Sequence, residues 1–125
     1  MFNKTFFVFV VLILLSGCSL NFDREEIESG RICKKEICVG LSVDSVYELI
    51  DIISKSDFKS TSIINMTPHN ESIYEITLTG RDSEGFFELQ KLYILNSEQI
   101  VDDDSKEYHS TTQALDLDFF ESLFE

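Results

Sequence analysis

Ten consecutive apolar residues, Phe6 to Leu15, sit behind a short start bearing Lys4 and are followed by the small residues Ser16 and Gly17 and then by Cys18. This is the layout of a secretory signal: a charged start, an apolar middle and small residues before a cleavage point. A helix needs about 20 apolar residues to cross a bilayer core, so a run half that long reads as an export signal and not as a permanent span. Its removal decides what is left to fold. Taking residues 1–17 from a chain of 125 leaves 108, and because those residues hold one Lys and no acid, the net charge passes from −13 to −14. A chain of that size buries somewhat more than half of its unfolded surface, enough for one domain with a modest core and little room for a deep enzyme cleft.

The residues Leu15-Ser16-Gly17-Cys18 resemble the lipobox of bacterial lipoprotein precursors. The resemblance implies that Leu15, Ser16 and Gly17 fit the processing machinery, that the Cys18 thiol receives a diacylglyceryl group, and that a dedicated peptidase cuts before Cys18. Cys18 then becomes the mature first residue and carries an N-acyl chain as well. A thiol is required there because sulfur is the nucleophile that takes up the lipid. With burial worth about 0.8 kcal/mol per methylene, two or more acyl chains attach a protein stably to a membrane. Apart from this covalent lipid, no cofactor is expected. The residue after the cysteine is Ser19 rather than Asp, which implies the outer membrane facing the periplasm in a Gram-negative source. In a Gram-positive source the same motif implies the outer face of the plasma membrane. The alternative is an ordinary cleaved signal in which Cys18 is incidental.

Three cysteines are present, and if Cys18 takes lipid, Cys33 and Cys38 remain as an even pair. In an oxidising compartment such a pair is expected to form a disulfide. Closing so short a loop contributes roughly 2 kcal/mol by loop-closure entropy. A redox pair is usually spaced C-x-x-C, and a structural zinc site needs two further ligands, for which the chain offers His69 and His109. The run Asp102-Asp103-Asp104-Ser105-Lys106-Glu107 lacks the Gly and the distal Glu of an EF-hand loop, so no metal site is expected there. The acidic balance argues against a nucleic-acid partner, which calls for basic stripes. It also argues against the protein body lying on anionic headgroups.

Residues 18–29 are polar and acidic, without sustained periodicity, and read as a lipidated N-terminus and tether; a dozen extended residues reach at most about 40 Å. The domain is expected over 30–125. From Ser42 to Lys55, Val43, Val46, Tyr47, Ile50 and Ile53 recur at helical spacing, with Ser42 as N-cap, Asp44 in the first turn and Lys55 in the last. Strands are expected at about Ser60–Met66, Ser72–Thr79 and Phe86–Leu95, with a short one at Gln99–Val101, each bounded by turn residues. Near the C-terminus Phe119, Phe120, Leu123 and Phe124 again fall at helical spacing. They are expected to pack on the domain, and they are also the candidate partner-binding element. The fold class is therefore α+β: one amphipathic helix packed on a three- to four-stranded antiparallel meander, with a short C-terminal helix.

The segment Val39-Gly40-Leu41-Ser42-Val43-Asp44-Ser45-Val46 resembles the Gly-Met-Thr-x-x-x-Val helix start of the small protein A family, small lipoproteins of the outer-membrane protein assembly machine. That resemblance covers residues 39 to 95 and implies helices against a three-stranded antiparallel sheet. Where the family has Gly-x-Pro after the helix, this chain has Ser54-Lys55-Ser56-Asp57-Phe58.

No nucleophile, base and orienting group stand in a recognisable motif, and no Gly-rich phosphate loop is present. His69 beside Pro68 and His109 in a polar stretch read as surface residues. The expected function is thus that of a membrane-anchored, non-enzymatic protein-interaction module of the cell envelope. Two alternatives stay open. One is an immunity lipoprotein neutralising a periplasmic toxin, since acidic inhibitors cap basic clefts. The other is a small envelope ligand-binding protein or hydrolase, which would require a concave pocket joining His69, His109 or Asp102–Asp104.

Overall fold

A computed structural model describes residues 20, 22–63, 71–103 and 107–125; the signal segment with Leu15, Ser16, Gly17 and Cys18 lies outside the described residues, as do Pro68, His69 and Asp104. In chain order come β1 (Ile27–Lys34), β2 (Ile37–Leu41), α1 (Val43–Lys55), β3 (Lys59–Ile63), β4 (Tyr74–Asp82), β5 (Gly85–Asn96), β6 (Gln99–Asp102), β7 (Glu107–Ser110) and α2 (Leu117–Ser122). The seven strands form one open antiparallel sheet in the order β2-β1-β4-β5-β6-β7-β3. This corrects the expected three- to four-stranded meander and the three-stranded sheet implied by the small protein A resemblance. The α+β class and the two helices stand, but β1, β2 and β7 join the expected strands, and α1 carries the chain from one sheet edge to the other.

Two of the added strands, β1 and β7, lack the alternation by which strands are read. In β1 the register shifts between Ile27 and Ser29, so Ile27 and Ile32 are both buried although they lie on opposite parities. The core position between them is Gly30, where a Cβ would lie 2.8 Å from Cγ2 of Val46 on α1 and 3.3 Å from the Thr77 carbonyl oxygen. Glycine there lets the helix approach the sheet. In β7 the inward position is His109, buried and in register with Ile100. A histidine in a polar stretch gives no apolar signal of its own.

The β1–β2 hairpin turns at Lys35-Glu36, with Lys35 in the left-handed region at φ 57°. It sets Cys33 directly opposite Cys38, and the two form a disulfide with their Cα atoms 4.0 Å apart. Strand β1 begins at Ile27, and Leu20 and Phe22 already pack against the core, so most of the stretch read as tether lies on the domain.

The helix forms as its sequence dictates. Ser42 caps it by accepting from the Ser45 N–H, Asp44 and Lys55 complement its dipole, and Val46, Leu49, Ile50 and Ile53 bury one stripe. Tyr47 lies at the margin of that stripe, its hydroxyl donating to the Arg24 carbonyl at 3.0 Å. Opposite the stripe stand Ile32, Tyr74, Ile76, Leu78, Leu92, Ile94 and Ile100, all in one core. In β5 a register shift opposite Leu78 and Thr79 inserts an extra residue, so the strand reverses parity midway. Leu92 and Ile94 therefore face the core, while Tyr93 and Val101 are buried together on the other face.

Candidate interaction surface

The end of the β4–β5 hairpin outruns its neighbours. Pairing of β1 with β4 stops at Ile27 opposite Gly80, and pairing of β6 with β5 reaches Leu92, extended by the Asp103 N–H donating to the Lys91 carbonyl at 3.0 Å. Among the described residues, Gly85–Gln90 has no strand on the side away from β4. This arm is stiffened locally. The Asp82 carboxylate accepts from the Glu84 N–H at 2.8 Å, and Gly85 adopts φ 127°, which a side chain rarely tolerates.

Adjacent residues in a strand point to opposite faces, so Phe86 and Phe87 cannot both enter one core. Phe87 lies over Gly80, where a Cβ would come within 2.8 Å of its ring, yet it remains 40% exposed. Phe86 is 67% exposed, with the Arg81 guanidinium 5.4 Å from its ring centroid. Around the two rings stand the exposed acids Asp82, Glu84 and Glu88, and beside them, at the start of β1, Glu25, Glu26 and Glu28. Lys91, in the ladder opposite Thr77, lies 3.3 Å from Glu88 and 3.4 Å from Glu75. Burial works to lower its pKa, but hydrogen bonding and attraction from Glu88 and Glu75 outweigh that and raise it. Its charge is thus committed, and Arg81 is the basic side chain set against the acids of the arm.

The C-terminal residues, expected to pack on the domain and also the candidate partner-binding element, occupy a different place. Phe120 is fully buried, its ring stacked on Tyr74 with centroids 5.5 Å apart and met edge-on by Phe119 at 5.8 Å. Phe124 stacks on Tyr74 at 6.1 Å, and Phe119, Leu123 and Phe124 are half-buried against the core. Glu121 fastens this helix to the sheet: Lys34 Nζ donates to its carboxylate at 2.8 and 2.9 Å, and the Tyr74 hydroxyl donates to the same group. These hydrogen bonds, with Lys34 first, hold the Glu121 pKa below the usual carboxylate range. Desolvation, then Glu121, pushes the Tyr74 hydroxyl well above its ordinary value.

Among the described residues, the remaining candidates do not converge. His109 is buried on the core face, whereas Asp102 closes β6 and Asp103 turns beyond it. An open cleft of about 260 Å³ is lined by Ser56, Asp57, Lys59, Thr111 and Gln113, with the Thr111 hydroxyl donating to the Ser56 carbonyl. It offers hydroxyls and a carboxylate without an imidazole or thiol. Among the described residues no group of three His, Cys, Asp or Glu side chains is placed to hold a metal ion.

The exposed aromatic pair is a candidate site that sequence reasoning missed. Its signal was present: two bulky apolar residues in succession after the Gly80-Arg81-Asp82-Ser83-Glu84-Gly85 turn place one ring on each face of a strand, whatever the core accepts. No protein-family model, curated protein or solved structure matches this chain.

Proposed function

We propose that this chain is a lipid-anchored, non-enzymatic interaction module of the bacterial cell envelope that meets a partner protein through the β4–β5 arm. The observation that carries the reading is Phe86, two-thirds exposed beside a second exposed aromatic ring on a braced hairpin ringed by acids. Aromatic side chains, Phe included, are enriched in protein interfaces relative to the rest of the surface.

Anchoring rests on Leu15-Ser16-Gly17-Cys18 and is supported by the cysteine pairing. The disulfide takes Cys33 and Cys38, leaving Cys18 as the third cysteine of the chain, available for the diacylglyceryl and N-acyl groups. With Leu20 already on the core, the lipidated residue stands only two positions from the domain, a reach of about 7 Å. The domain is thereby held close to the bilayer rather than at the end of a long tether, while its acidic surface opposes direct contact with anionic headgroups. Its charge of −14 after removal of the signal favours a basic partner, which includes a toxin delivered to the periplasm that the chain would neutralise.

Metabolic labelling with a clickable palmitate, combined with a photo-crosslinking residue at Phe86, tests both halves. The wild-type chain is expected to take label and fractionate with membranes, and Cys18→Ser to lose both properties. An unlabelled, soluble wild type would overturn the anchor. A crosslinked partner is expected from position 86 and not from Asp44 on the exposed side of α1; no adduct at 86 would overturn the docking surface.

A further inference from the structure

We infer that the free edge of β5 captures a basic, extended segment of the partner as an added antiparallel strand, an inference that rests on the arm being the docking surface. Three features of the arm lead to it. The first is main-chain geometry. A two-residue turn at Ser83-Glu84 makes Asp82 and Gly85 the closing pair, and alternation along an antiparallel ladder then directs the N–H and C=O of Phe86, and of Glu88 opposite Thr79, away from β4. These groups form a template on which a further strand can pair.

The second feature is what the edge lacks. Strand edges are ordinarily blunted by charged side chains, Lys above all, by Pro, by a β-bulge or by a covering element. Here residues 85–90 read Gly-Phe-Phe-Glu-Leu-Gln, with neither Lys nor Pro; the bulge falls at Leu89, beyond Phe86 and Glu88, and among the described residues no strand covers them on the side away from β4. Phe86 on one face and Phe87 on the other offer apolar contacts to alternate side chains of an incoming strand.

The third is charge. Glu25, Glu26, Glu28, Asp82, Glu84 and Glu88 outnumber Arg81 and the already paired Lys91. A second copy adding its own β5 would set these acids against one another, so self-pairing is opposed and a strand rich in Lys or Arg is favoured.

The test uses the mature folded domain and synthetic peptides of alternating Lys and Val or of alternating Glu and Val. The Lys-Val peptide is expected to bind with salt-sensitive affinity, to protect the Phe86 and Glu88 amides from hydrogen exchange, and to bind at least about tenfold more tightly than the Glu-Val peptide, an equivalent of about 1.4 kcal/mol. Glu88→Pro removes the outward N–H at an edge position where proline is tolerated, and Glu88→Gln removes the carboxylate alone. With folding of both verified by circular dichroism, Glu88→Pro is expected to lose protection at Phe86 and at least about tenfold in affinity, with a smaller loss for Glu88→Gln.

Equal loss in the two variants, protection elsewhere on the sheet, or a peptide-free dimer protected at Phe86 would each overturn strand capture. The crosslinked adduct at position 86 separates this inference from the function proposed above. An adduct that survives Glu88→Pro undiminished refutes strand capture and leaves the docking surface standing, whereas absence of any adduct refutes both.

Discussion

The contact between Gly30 and Val46 sets how closely α1 lies on the sheet, and a double-mutant cycle across it makes the packing measurable. A methyl group at position 30 would sit 2.8 Å from Val46 Cγ2, well inside the separation of about 3.5–4.0 Å at which carbon atoms attract. Such overpacking costs about 1–3 kcal/mol, offset by about 0.5–1 kcal/mol because alanine loses less backbone freedom than glycine. Gly30→Ala is therefore expected to destabilise by about 1–2 kcal/mol. Val46→Ala removes two carbons from a fully buried side chain, worth about 1.6 kcal/mol by transfer and about 2–3 kcal/mol with the cavity. In the double variant the new methyl enters the space the valine vacated. The remaining close contacts are the Thr77 carbonyl at 3.3 Å and Leu78 Cδ2 at 3.4 Å. The pair is thus expected to cost about 2 kcal/mol rather than the 3–5 kcal/mol of simple addition, a coupling of about 1–3 kcal/mol. Urea unfolding followed by far-UV circular dichroism, with the disulfide intact and slopes compared between variants, measures each corner as a displaced midpoint. Additivity within about 0.5 kcal/mol would refute the claim that glycine is required there for helix approach.

Phe120→Ala is expected to cost about 3–5 kcal/mol, whereas Phe86→Ala should move stability by less than about 0.5 kcal/mol, both read from urea midpoints; a large loss at Phe86 would place that ring in the core. The lowered Glu121 pKa means that its contribution is present above the ordinary carboxylate range and is lost as pH falls through the depressed value, because the unfolded chain then binds the proton first. Unfolding midpoints measured across that acid range should fall more steeply for wild type than for Glu121→Gln, and identical slopes would refute the coupling. The Cys33→Ser/Cys38→Ser double variant is expected to lose about 2 kcal/mol on the loop-closure model, again by urea unfolding. A loss below about 0.5 kcal/mol would show that the hairpin register holds without the bond.

The helix and the middle strands were legible because their signals are local. Ser42, Asp44 and Lys55 bracket a stripe whose period is built into adjacent turns, and Tyr74, Ile76 and Leu78 alternate within one strand. The same logic misses β1, where a register shift and a core glycine break the alternation, and β7, whose inward residue is His109. At the C-terminus, helical spacing was visible in Phe119, Phe120, Leu123 and Phe124, but the partner of that face was not. It is Tyr74, with Lys34 and Tyr74 holding Glu121, and these lie far away in the chain. Spacing states that a face exists and says nothing of what covers it.

The sequence by itself determined the span and ends of α1, the pairing of Cys33 with Cys38, and the acidic character of the chain, since each depends on residue type and short-range spacing. Only the tertiary structure decided that seven strands share one sheet, that the C-terminal phenylalanines pack against Tyr74, and that Phe86 and Phe87 stand exposed where, among the described residues, no strand covers the side of β5 away from β4. The physical reason is that exposure is set by where neighbouring strands end. β1 stops at Gly80 and β6 at Leu92, and both limits are properties of register between segments distant in the chain.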